Sequence, residues 1–284
     1  MDYISPKELS GLVVDAGEEK VHVSTKDTLV RGYMAGAILA LAAIFAITVA
    51  TKTGSALAGS ILFPVGFIIL YMLKYDLLTG VFMLVPLAVL DKRKNVTVKE
   101  MLRNWGLVFL SNFAGALTVA FMMAFIFTYG FDTDGGAIAK KVSHIGEART
   151  LGYSEHGVSG WLTIFIRGML CNWMVSTGVV LAMISTSVIG KVFAMWMPIM
   201  LFFYMGFEHS VVNMFLFPFS MIMGGGFTIG DYLLWNELPT ALGNLVGGVL
   251  LVGVPIYLTH YKESPKRFKV VHNESLDLER EEAK

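Results

Sequence analysis

Long apolar stretches without charge constrain this chain more than any other feature of its sequence. Residues 33–50 and 105–129 contain no Asp, Glu, Lys or Arg, and about 20 apolar residues are enough to cross a bilayer as a helix. Of the 284 residues, 55% are hydrophobic and 15% are charged, whereas soluble domains average roughly 25% charged residues. The sequence therefore predicts an all-α integral membrane protein in contact with a lipid bilayer.

Six apolar regions follow one another, at residues 29–50, 56–90, 105–129, 161–184, 192–223 and 238–260. The second and fifth exceed one crossing of about 20 residues but are too short for two crossings and a turn. Polar or flexible residues interrupt both, at residues 74–76 and 79–80 in the second region and at residues 206–210 in the fifth. Irregular backbone at membrane depth is stable only where it faces protein or a cavity. We therefore expect six transmembrane helices, of which the second and fifth are broken.

The order of these regions has an internal symmetry. Each half, residues 29–130 and 158–261, has three crossings with a broken middle member, and an odd number of crossings inverts the second half relative to the first. The sequence thus predicts an inverted repeat within one transmembrane transport domain, residues 29–261, with the two breaks meeting near the midplane. Paired interruptions of this kind mark the path of a solute.

Lysine and arginine placement predicts the orientation in the membrane. The loop between the second and third regions is basic, whereas residues 224–237 contain no Lys or Arg; its basic residues are Lys92, Arg93, Lys94, Lys99 and Arg103. Because basic loops stay in the cytoplasm, six crossings place both termini there, including the charged tail at residues 262–284. A re-entrant hairpin at residues 56–90 would put the basic loop outside while the basic N-terminus stayed inside. The formal net charge is zero, so no overall field would attract nucleic acid.

The N-terminal segment, residues 1–28, carries a helix start signal. Ser5, Pro6 and Glu8 have the spacing of a capping box with proline at the first helical position. The apolar residues that follow recur at i, i+3, i+4 and i+7, namely Leu9, Leu12, Val13 and Ala16. This spacing predicts a short amphipathic helix. We expect it to pack against the transmembrane bundle, with docking onto the membrane surface or pore gating as the alternatives.

One of the six histidines lies inside an apolar region. His209 follows Glu208 in the break of the fifth region, and ionisable groups inside a membrane are functional candidates because their desolvation is costly. Imidazole has an unperturbed pKa of about 6.5, so both of its charge states are accessible. The neutral ring can donate a hydrogen bond to an anion, and the charged ring can attract the anion. Thr79, beside the other break, could donate to the same solute or to His209. The alternatives are a histidine that only ties the break to a neighbouring helix and a threonine that caps its own helix.

Other candidate groups have weaker signals. Amides inside the apolar regions need hydrogen-bond partners, which neighbouring helices could supply without any transport role; they are Asn172, Asn213 and Asn244. Aromatic rings before the breaks could exclude hydrated ions by dewetting; they are Phe63, Phe67 and Phe202. With 20 phenylalanines in the chain, ordinary packing also explains any single ring.

The sequence lacks the motifs that several other classes of protein require. The chain has one cysteine, Cys171, and hence no cysteine metal cluster. It contains no His-Glu-x-x-His, Walker or Gly-x-Ser-x-Gly motif. A haem subunit would need axial ligands, and besides His209 only His260 lies in an apolar region, at its end. We therefore expect no metal, no cofactor and no enzymatic activity.

Four segments resemble motifs of the formate/nitrite transporter family. Residues 74–80 (KYDLLTG) resemble its first signature, and residues 168–175 (GMLCNWMV) resemble its second. Residues 206–214 (GFEHSVVNM) are similar to the motif around its central histidine, and residues 243–248 (GNLVGG) are similar to its last helix. The likeness extends over about residues 29–261, and the order and spacing of the segments both agree with the family.

The resemblance implies a homopentamer of six-helix protomers with an aquaporin-like fold, in the cell membrane of a bacterium or archaeon. Each protomer would pass small monovalent anions together with protons, with formate as the first choice and nitrite or hydrosulfide as the alternatives. The central pore residues would be His209, Thr79 and Asn172, supported by Glu208, Asn213 and Asn244. The family's apolar constrictions correspond to Phe63, Phe67 and Phe202 toward the outside and to Leu77, Leu78 and Val175 toward the inside.

One departure from the family's pattern concerns the outer mouth. Some members place a lysine shortly before the fourth transmembrane helix, where this chain has residues 154–157 (SEHG). Attraction of anions to the outer mouth would then depend on Lys140, Lys141 or Arg149.

These residues suggest a proton-coupled mechanism. An anion would enter a polar vestibule, meet a dry constriction, take a proton from the surroundings of His209 and pass as the neutral acid. A non-transporting sensor or scaffold, using the N-terminal helix and the charged tail, is the remaining alternative. That alternative leaves the matched breaks unexplained.

Overall fold

The structure is a computed structural model that describes residues 3–261. Within this range the chain forms fourteen α-helices and two π-helical turns, and it contains no β-strand. The first six helices are α1 (Pro6–His22), α2 (Thr25–Thr53), α3 (Ala56–Leu62), α4 (Pro64–Met72), α5 (Leu78–Leu90) and α6 (Val98–Phe127). The others are α7 (Gly136–Ala148), α8 (Leu151–Ser154), α9 (Gly157–Ile184), α10 (Val188–Tyr204), α11 (Ser210–Ile222), α12 (Ile229–Tyr232), α13 (Leu238–Gly248) and α14 (Val254–His260). The π-helical turns Leu233–Glu237 and Val249–Gly253 join the last three helices into one run.

Four helical segments are long and apolar enough to cross a membrane. These are α2, α6, α9 and the continuous run Ile229–His260, with 29, 30, 28 and 32 residues. A helix rises about 1.5 Å per residue, and the hydrocarbon core of a bilayer is about 30 Å thick. The four segments agree with the predicted class of an all-α membrane protein.

The second and fifth apolar regions fold as separate shorter helices. Residues 73–77 interrupt the path from α4 to α5, and residues 205–209 interrupt the path from α10 to α11. Each interruption contains a residue with positive φ, Lys74 at 56° and Gly206 at 64°, so the backbone leaves helical geometry there. The prediction that Thr79 and Gly80 belong to the first break was wrong. A hydrogen bond from the Leu78 N–H to a side chain of α6 fixes the start of α5 ahead of them.

Glycines let the longest helices pack with their backbones close together. A Cβ added at Gly36 in α2 would lie 2.1 Å from the Asn112 carbonyl oxygen of α6, and one added at Gly247 in α13 would lie 2.1 Å from the Met169 carbonyl oxygen of α9. A side chain at either position would push the helices apart. Two tight pairs result, α2 with α6 and α9 with α13, and the shorter helices pack against them.

Helix α1 begins where the sequence predicted, but its buried face is rotated. The capping box forms, with the Glu8 N–H donating to Ser5 Oγ at 3.3 Å and the Ser5 N–H donating to Glu8 Oε2 at 3.1 Å. Leu12, predicted on the buried face, is 38% exposed. The cause is Gly17, where an added Cβ would lie 2.2 Å from the Leu84 carbonyl oxygen. The helix therefore approaches α5 on the side that carries Leu9, Val13, Val14, Gly17 and Val21.

Two helical segments begin earlier than predicted. Helix α2 begins at Thr25 rather than at residue 29, because Ser24 caps it by accepting a hydrogen bond from the Asp27 N–H at 3.1 Å. The last helical run begins at Ile229 rather than at residue 238, because Thr228 forms a capping box with Asp231. The predicted charged tail, residues 262–284, lies outside the described residues.

Candidate functional site

His209 occupies the N-cap position of α11, at the end of the second break. Its side chain is 1% exposed, and the Val212 N–H donates to its Nδ1 at 3.3 Å. An Nδ1 that accepts this hydrogen bond carries no proton, so the neutral ring carries its proton on Nε2. Nε2 lies 3.3 Å from Thr79 Oγ1, in the first turn of α5. The two broken regions thus bring one ring nitrogen and one hydroxyl together in a buried setting.

Thr79 does not cap its own helix, because the N-cap position of α5 is Leu77. Its carbonyl oxygen instead accepts a hydrogen bond from Asn172 Nδ2 of α9 at 3.1 Å. The same Nδ2 donates to the Asn244 carbonyl oxygen of α13 at 2.6 Å. Asn172 therefore ties three helices together directly beside the contact between Thr79 and His209.

Aromatic rings pack directly on the histidine. The ring of Phe202 stacks on His209 with centroids 5.5 Å apart and an interplanar angle of 27°. Phe63 meets Phe202 edge to face, with centroids 5.6 Å apart, and Phe203 stacks on Phe63 at 3.9 Å. Phe203 was not predicted from the sequence, because only its contact with Phe63 distinguishes it from the other phenylalanines. Phe67 is buried in the same apolar core.

The residues predicted for the inner constriction are buried in that core as well. Leu77 closes the first break, Leu78 begins α5 and Val175 lies in α9. All three side chains are at most 5% exposed. Apolar groups therefore surround the contact between Thr79 and His209 on several sides.

An asparagine of α6 holds the first break. Asn112 Oδ1 accepts a hydrogen bond from the Leu78 N–H at 2.9 Å. Its Nδ2 donates to the Asp76 carbonyl oxygen at 2.9 Å and to the Gly32 carbonyl oxygen of α2 at 2.8 Å. Backbone groups inside a membrane must be satisfied by protein. One side chain thus satisfies the groups on both sides of Leu77.

An asparagine of α13 holds the second break in the same way. Asn244 Oδ1 accepts from the Ser210 N–H at 3.0 Å, and its Nδ2 donates to the carbonyl oxygens of Glu208 (2.9 Å) and of Gly168 in α9 (2.8 Å). Asn244 was among the residues predicted from the sequence, but its counterpart Asn112 was not. A shared pattern could have found it, because both asparagines stand three residues before a glycine, in NFAG at 112–115 and NLVG at 244–247.

Each break also carries a buried carboxylate paired with a cation from outside the long helices. Asp76 pairs with Lys20 of α1. Glu208 pairs with Arg149, which follows α7, through a distance of 3.3 Å between Nη1 and Oε2. The carboxylates of Asp76 and Glu208 are 1% and 0% exposed. A buried carboxylate at this depth is costly unless it is paired.

Glu208 has further partners that the sequence did not reveal. Oε2 accepts hydrogen bonds from Asn213 Nδ2 at 2.9 Å and from Asn236 Nδ2 at 3.3 Å. Oε1 accepts one from the Tyr153 hydroxyl at 3.2 Å. The same hydroxyl accepts a hydrogen bond from Arg167 Nη1 at 2.8 Å. The charged network therefore extends from Glu208 toward the segment that contains α8.

These features define a class: a multi-pass helical membrane protein in which two interrupted helices meet at a buried histidine. Residues 7–258 match the family described as Formate/nitrite transporter. The chain belongs to this family, whose members are channels and transporters rather than enzymes.

Relatives of similar length support the assignment. The chain is 32% identical over 273 residues to a "Probable formate transporter" of Methanothermobacter thermautotrophicus, a match that covers 91% of this chain and 98% of the relative. It is 30% identical over 269 residues to "Formate channel BtFdhC" of Bacillus thuringiensis, covering 93% and 98%. It is also 30% identical over 273 residues to "Uncharacterized transporter YrhG" of Bacillus subtilis, covering 94% and 97%.

Solved structures share the fold. An "FNT family ion channel" superimposes with a TM-score of 0.76 at 22% identity, covering 88% of this chain and 98% of the other. A "Pentameric formate channel with formate bound" superimposes with a TM-score of 0.68 at 24% identity, covering 82% and 96%.

Asn112→Leu should destabilise the protein. The substitution keeps the branched shape of the side chain but removes three hydrogen bonds to buried backbone groups, so the free energy of unfolding should fall by about 2 kcal/mol or more. Chemical denaturation of the purified protein in detergent would measure the change. Thr118→Val is the control on the same helix, because Thr118 is only partly buried and its hydroxyl donates to the Ala114 carbonyl oxygen of its own helix. Equal stability of the two variants would contradict the role assigned to Asn112.

Proposed function

We propose that this protein carries small monovalent anions across the membrane, with formate as its substrate, and that a proton accompanies each anion past His209. The observation that carries the proposal is the contact between His209 Nε2 and Thr79 Oγ1, which joins the two broken regions inside an apolar surround. The names of the relatives in Methanothermobacter and Bacillus thuringiensis support formate. Nitrite and hydrosulfide are the other substrates of suitable size and charge.

The proposed architecture is an inverted repeat of six crossings in which residues 29–130 and 158–261 form the two halves. α3, α4 and α5 together would make the second crossing, and α10 with α11 would make the fifth. The equivalent hydrogen bonds of Asn112 and Asn244 support this architecture, because each asparagine contacts the first and the second crossing of its own half. The ion pairs of Asp76 and Glu208 follow the same symmetry.

The proposed mechanism follows from the surroundings of the ring. The Nε2–H of neutral His209 is oriented to donate a hydrogen bond to an anion that displaces the Thr79 hydroxyl. The packed rings of Phe63 and Phe202 would exclude a hydrated ion, because hydrophobic constrictions gate by dewetting. The anion would then accept a proton at His209 and pass as the neutral acid. The proton would enter from the water on the anion's side and leave with the acid, so that no net charge crosses the constriction.

The other predicted site residues support this step. Asn172, Asn213 and Asn244 hold the backbone and the carboxylate around His209, and Phe67 lines the outer constriction. Leu77, Leu78 and Val175 would form the inner constriction. Arg149 and three further donors contact the carboxylate of Glu208.

Arg149 is the proposed attraction for anions at the outer mouth. Lys140 is engaged with Asp134 at 2.7 Å, and this hydrogen bond holds the pKa of the Asp134 carboxyl below its usual range. Lys141 is exposed. Arg149 is ion-paired as well, but its partner is Glu208, the residue before His209, and its side chain is 23% exposed. A guanidinium there is placed between the solvent and the central site.

We further propose a homopentamer in a bacterial or archaeal cell membrane with both termini in the cytoplasm. A pentamer is supported by the shared fold with a pentameric channel and by exposed apolar side chains along α6, namely Phe121, Met122, Phe125 and Ile126. The orientation is supported by the basic residues of the loop at 91–103. The N-terminal segment, residues 1–28, and the tail, residues 262–284, would then flank the transport domain on its inner side.

His209→Gln should remove proton coupling. Glutamine keeps an N–H donor but has no titratable nitrogen, so the stimulation of formate uptake by an inside-alkaline pH gradient should disappear. Uptake of labelled formate into proteoliposomes, with and without the gradient, measures this. His144→Gln, at an exposed histidine of α7, serves as the control and should behave as the unmodified protein. A His209→Gln variant with full gradient stimulation would overturn the proposed role of the ring.

Arg149→Gln should weaken capture of the anion. Charged clefts raise the local concentration of an oppositely charged substrate by about tenfold or more, so the KM for formate should rise by about tenfold at low ionic strength. The difference should shrink in high salt because salt screens the attraction. Arg149→Lys keeps the charge and should retain a low KM. If both variants have the same KM, the arginine does not attract the anion through its charge.

A further inference from the structure

A second buried carboxyl group lies next to the central site and has no part in the mechanism described above. Glu237 closes the π-helical turn Leu233–Glu237, inside the long apolar run Ile229–His260. It is 3% exposed. Single π-helical turns within α-helices are frequent at functional sites. Glu237 is therefore a candidate for a functional role.

The partners of Glu237 differ in kind from those of the other two buried carboxyl groups. Asp76 and Glu208 are both within ion-pair distance of a basic side chain. Glu237 instead meets two hydroxyl groups: Ser210 Oγ contacts its Oε1, and the Tyr232 hydroxyl lies 2.8 Å from its Oε2. Within residues 3–261 no lysine or arginine lies within 4.0 Å of its carboxyl oxygens.

Hydroxyl partners suit a carboxyl group that changes its protonation state. A hydroxyl can donate or accept a hydrogen bond. The Glu237 carboxylate accepts from both Ser210 and Tyr232, whereas the neutral acid donates to one of them and still accepts from the other. Each hydroxyl therefore keeps one hydrogen bond to the carboxyl group in either state. An ion-paired carboxylate such as Glu208 lacks this freedom, because a proton on it would leave the Arg149 guanidinium uncompensated.

The position of Glu237 couples it to an anion at the central site. Ser210, which contacts Glu237, is the residue that follows His209. The charged group on the other side is Glu208, which contacts Asn236, the neighbour of Glu237, and which Arg149 neutralises. An anion at His209 would therefore face one carboxyl group whose charge no cation balances. Like charges in a low-dielectric surround repel strongly.

We propose that Glu237 is the proton-binding residue that allows an anion to occupy the site at His209. This inference rests on the proposed function, and it specifies where the coupled proton is held. The carboxylate takes one proton from water and becomes the neutral acid, which removes the repulsion. The anion and the proton therefore bind together. When the solute leaves, the carboxyl group gives its proton up to formate, which departs as the neutral acid, and the empty site again holds the Glu237 carboxylate.

The number of protons taken up with each formate tests the inference. Calorimetric titration of the full-length protein with formate, in two buffers of different ionisation enthalpy, gives this number directly. We expect about one proton per formate for the unmodified chain at a pH where Glu237 is ionised in the empty site. Glu237→Gln stays neutral and keeps both hydroxyl contacts, so it should bind formate with almost no proton uptake. In the unmodified chain, the affinity for formate should fall by about tenfold per pH unit once Glu237 is deprotonated in the empty site. The affinity of Glu237→Gln should not fall in this way.

Control variants and a second readout separate the possible results. Glu155→Gln, at an exposed glutamate, should keep the proton uptake of the unmodified chain. Glu237→Asp should keep a titrating carboxyl group and hence the uptake. The infrared difference spectrum of the unmodified protein with and without formate should gain a protonated-carboxyl band, and this band should shift in the aspartate variant. That spectrum tests the inference even if the glutamine variant does not fold.

Failure of the inference is distinguishable from failure of the proposed function. If the unmodified protein neither binds nor transports formate, nitrite or hydrosulfide, the proposed function is wrong. If it binds formate without proton uptake and without the infrared band, the proposed function stands and Glu237 is not the coupled group. Unchanged proton uptake in Glu237→Gln, or loss of all binding by that variant when it is folded, would also overturn the inference.

Discussion

The structure depends on how it satisfies backbone hydrogen bonds where two apolar segments stop being helical in the protein interior. Each interruption exposes amide and carbonyl groups that lipid cannot satisfy. Asn112 and Asn244 each supply one acceptor and two donor contacts across an interruption. Because Asn112 also contacts α2 and Asn244 also contacts α9, the breaks are fixed relative to the helices that pack through Gly36 and Gly247.

The chemistry of the central site follows from those fixed breaks. The start of α11 presents the Val212 N–H to His209 Nδ1, and this hydrogen bond assigns the ring proton to Nε2. The start of α5 places the Thr79 hydroxyl opposite that nitrogen. Phe202 covers the ring from one side. Two of the buried carboxylates are paired, because the Arg149 guanidinium neutralises Glu208 and Lys20 neutralises Asp76. A neutral donor in an apolar surround is the arrangement that a passing anion with a proton requires.

Much of this arrangement was predictable because segments that cross lipid must be long and apolar. The lengths of the apolar regions predicted both interruptions, and the single buried histidine marked the second one. The sequence did not locate Thr79 correctly relative to the first break, since the helix start depends on a hydrogen bond that the Leu78 N–H donates to Asn112 Oδ1, far along the chain. The buried face of α1 was also missed, because a periodicity of apolar residues does not register a close approach at Gly17. Contacts such as that of Arg149 with Glu208 join residues from different helices, and no local pattern encodes them.

Formate uptake into proteoliposomes driven by a pH gradient is the most direct test of proton-coupled anion transport. The membrane potential is clamped to zero, and labelled formate is added at equal concentration on both sides, with and without an inside-alkaline gradient. Proton-coupled passage predicts net accumulation of formate with the gradient and none without it. Equal formate levels under both conditions would contradict the coupling, and robust nitrite or hydrosulfide flux without any formate flux would contradict the choice of substrate.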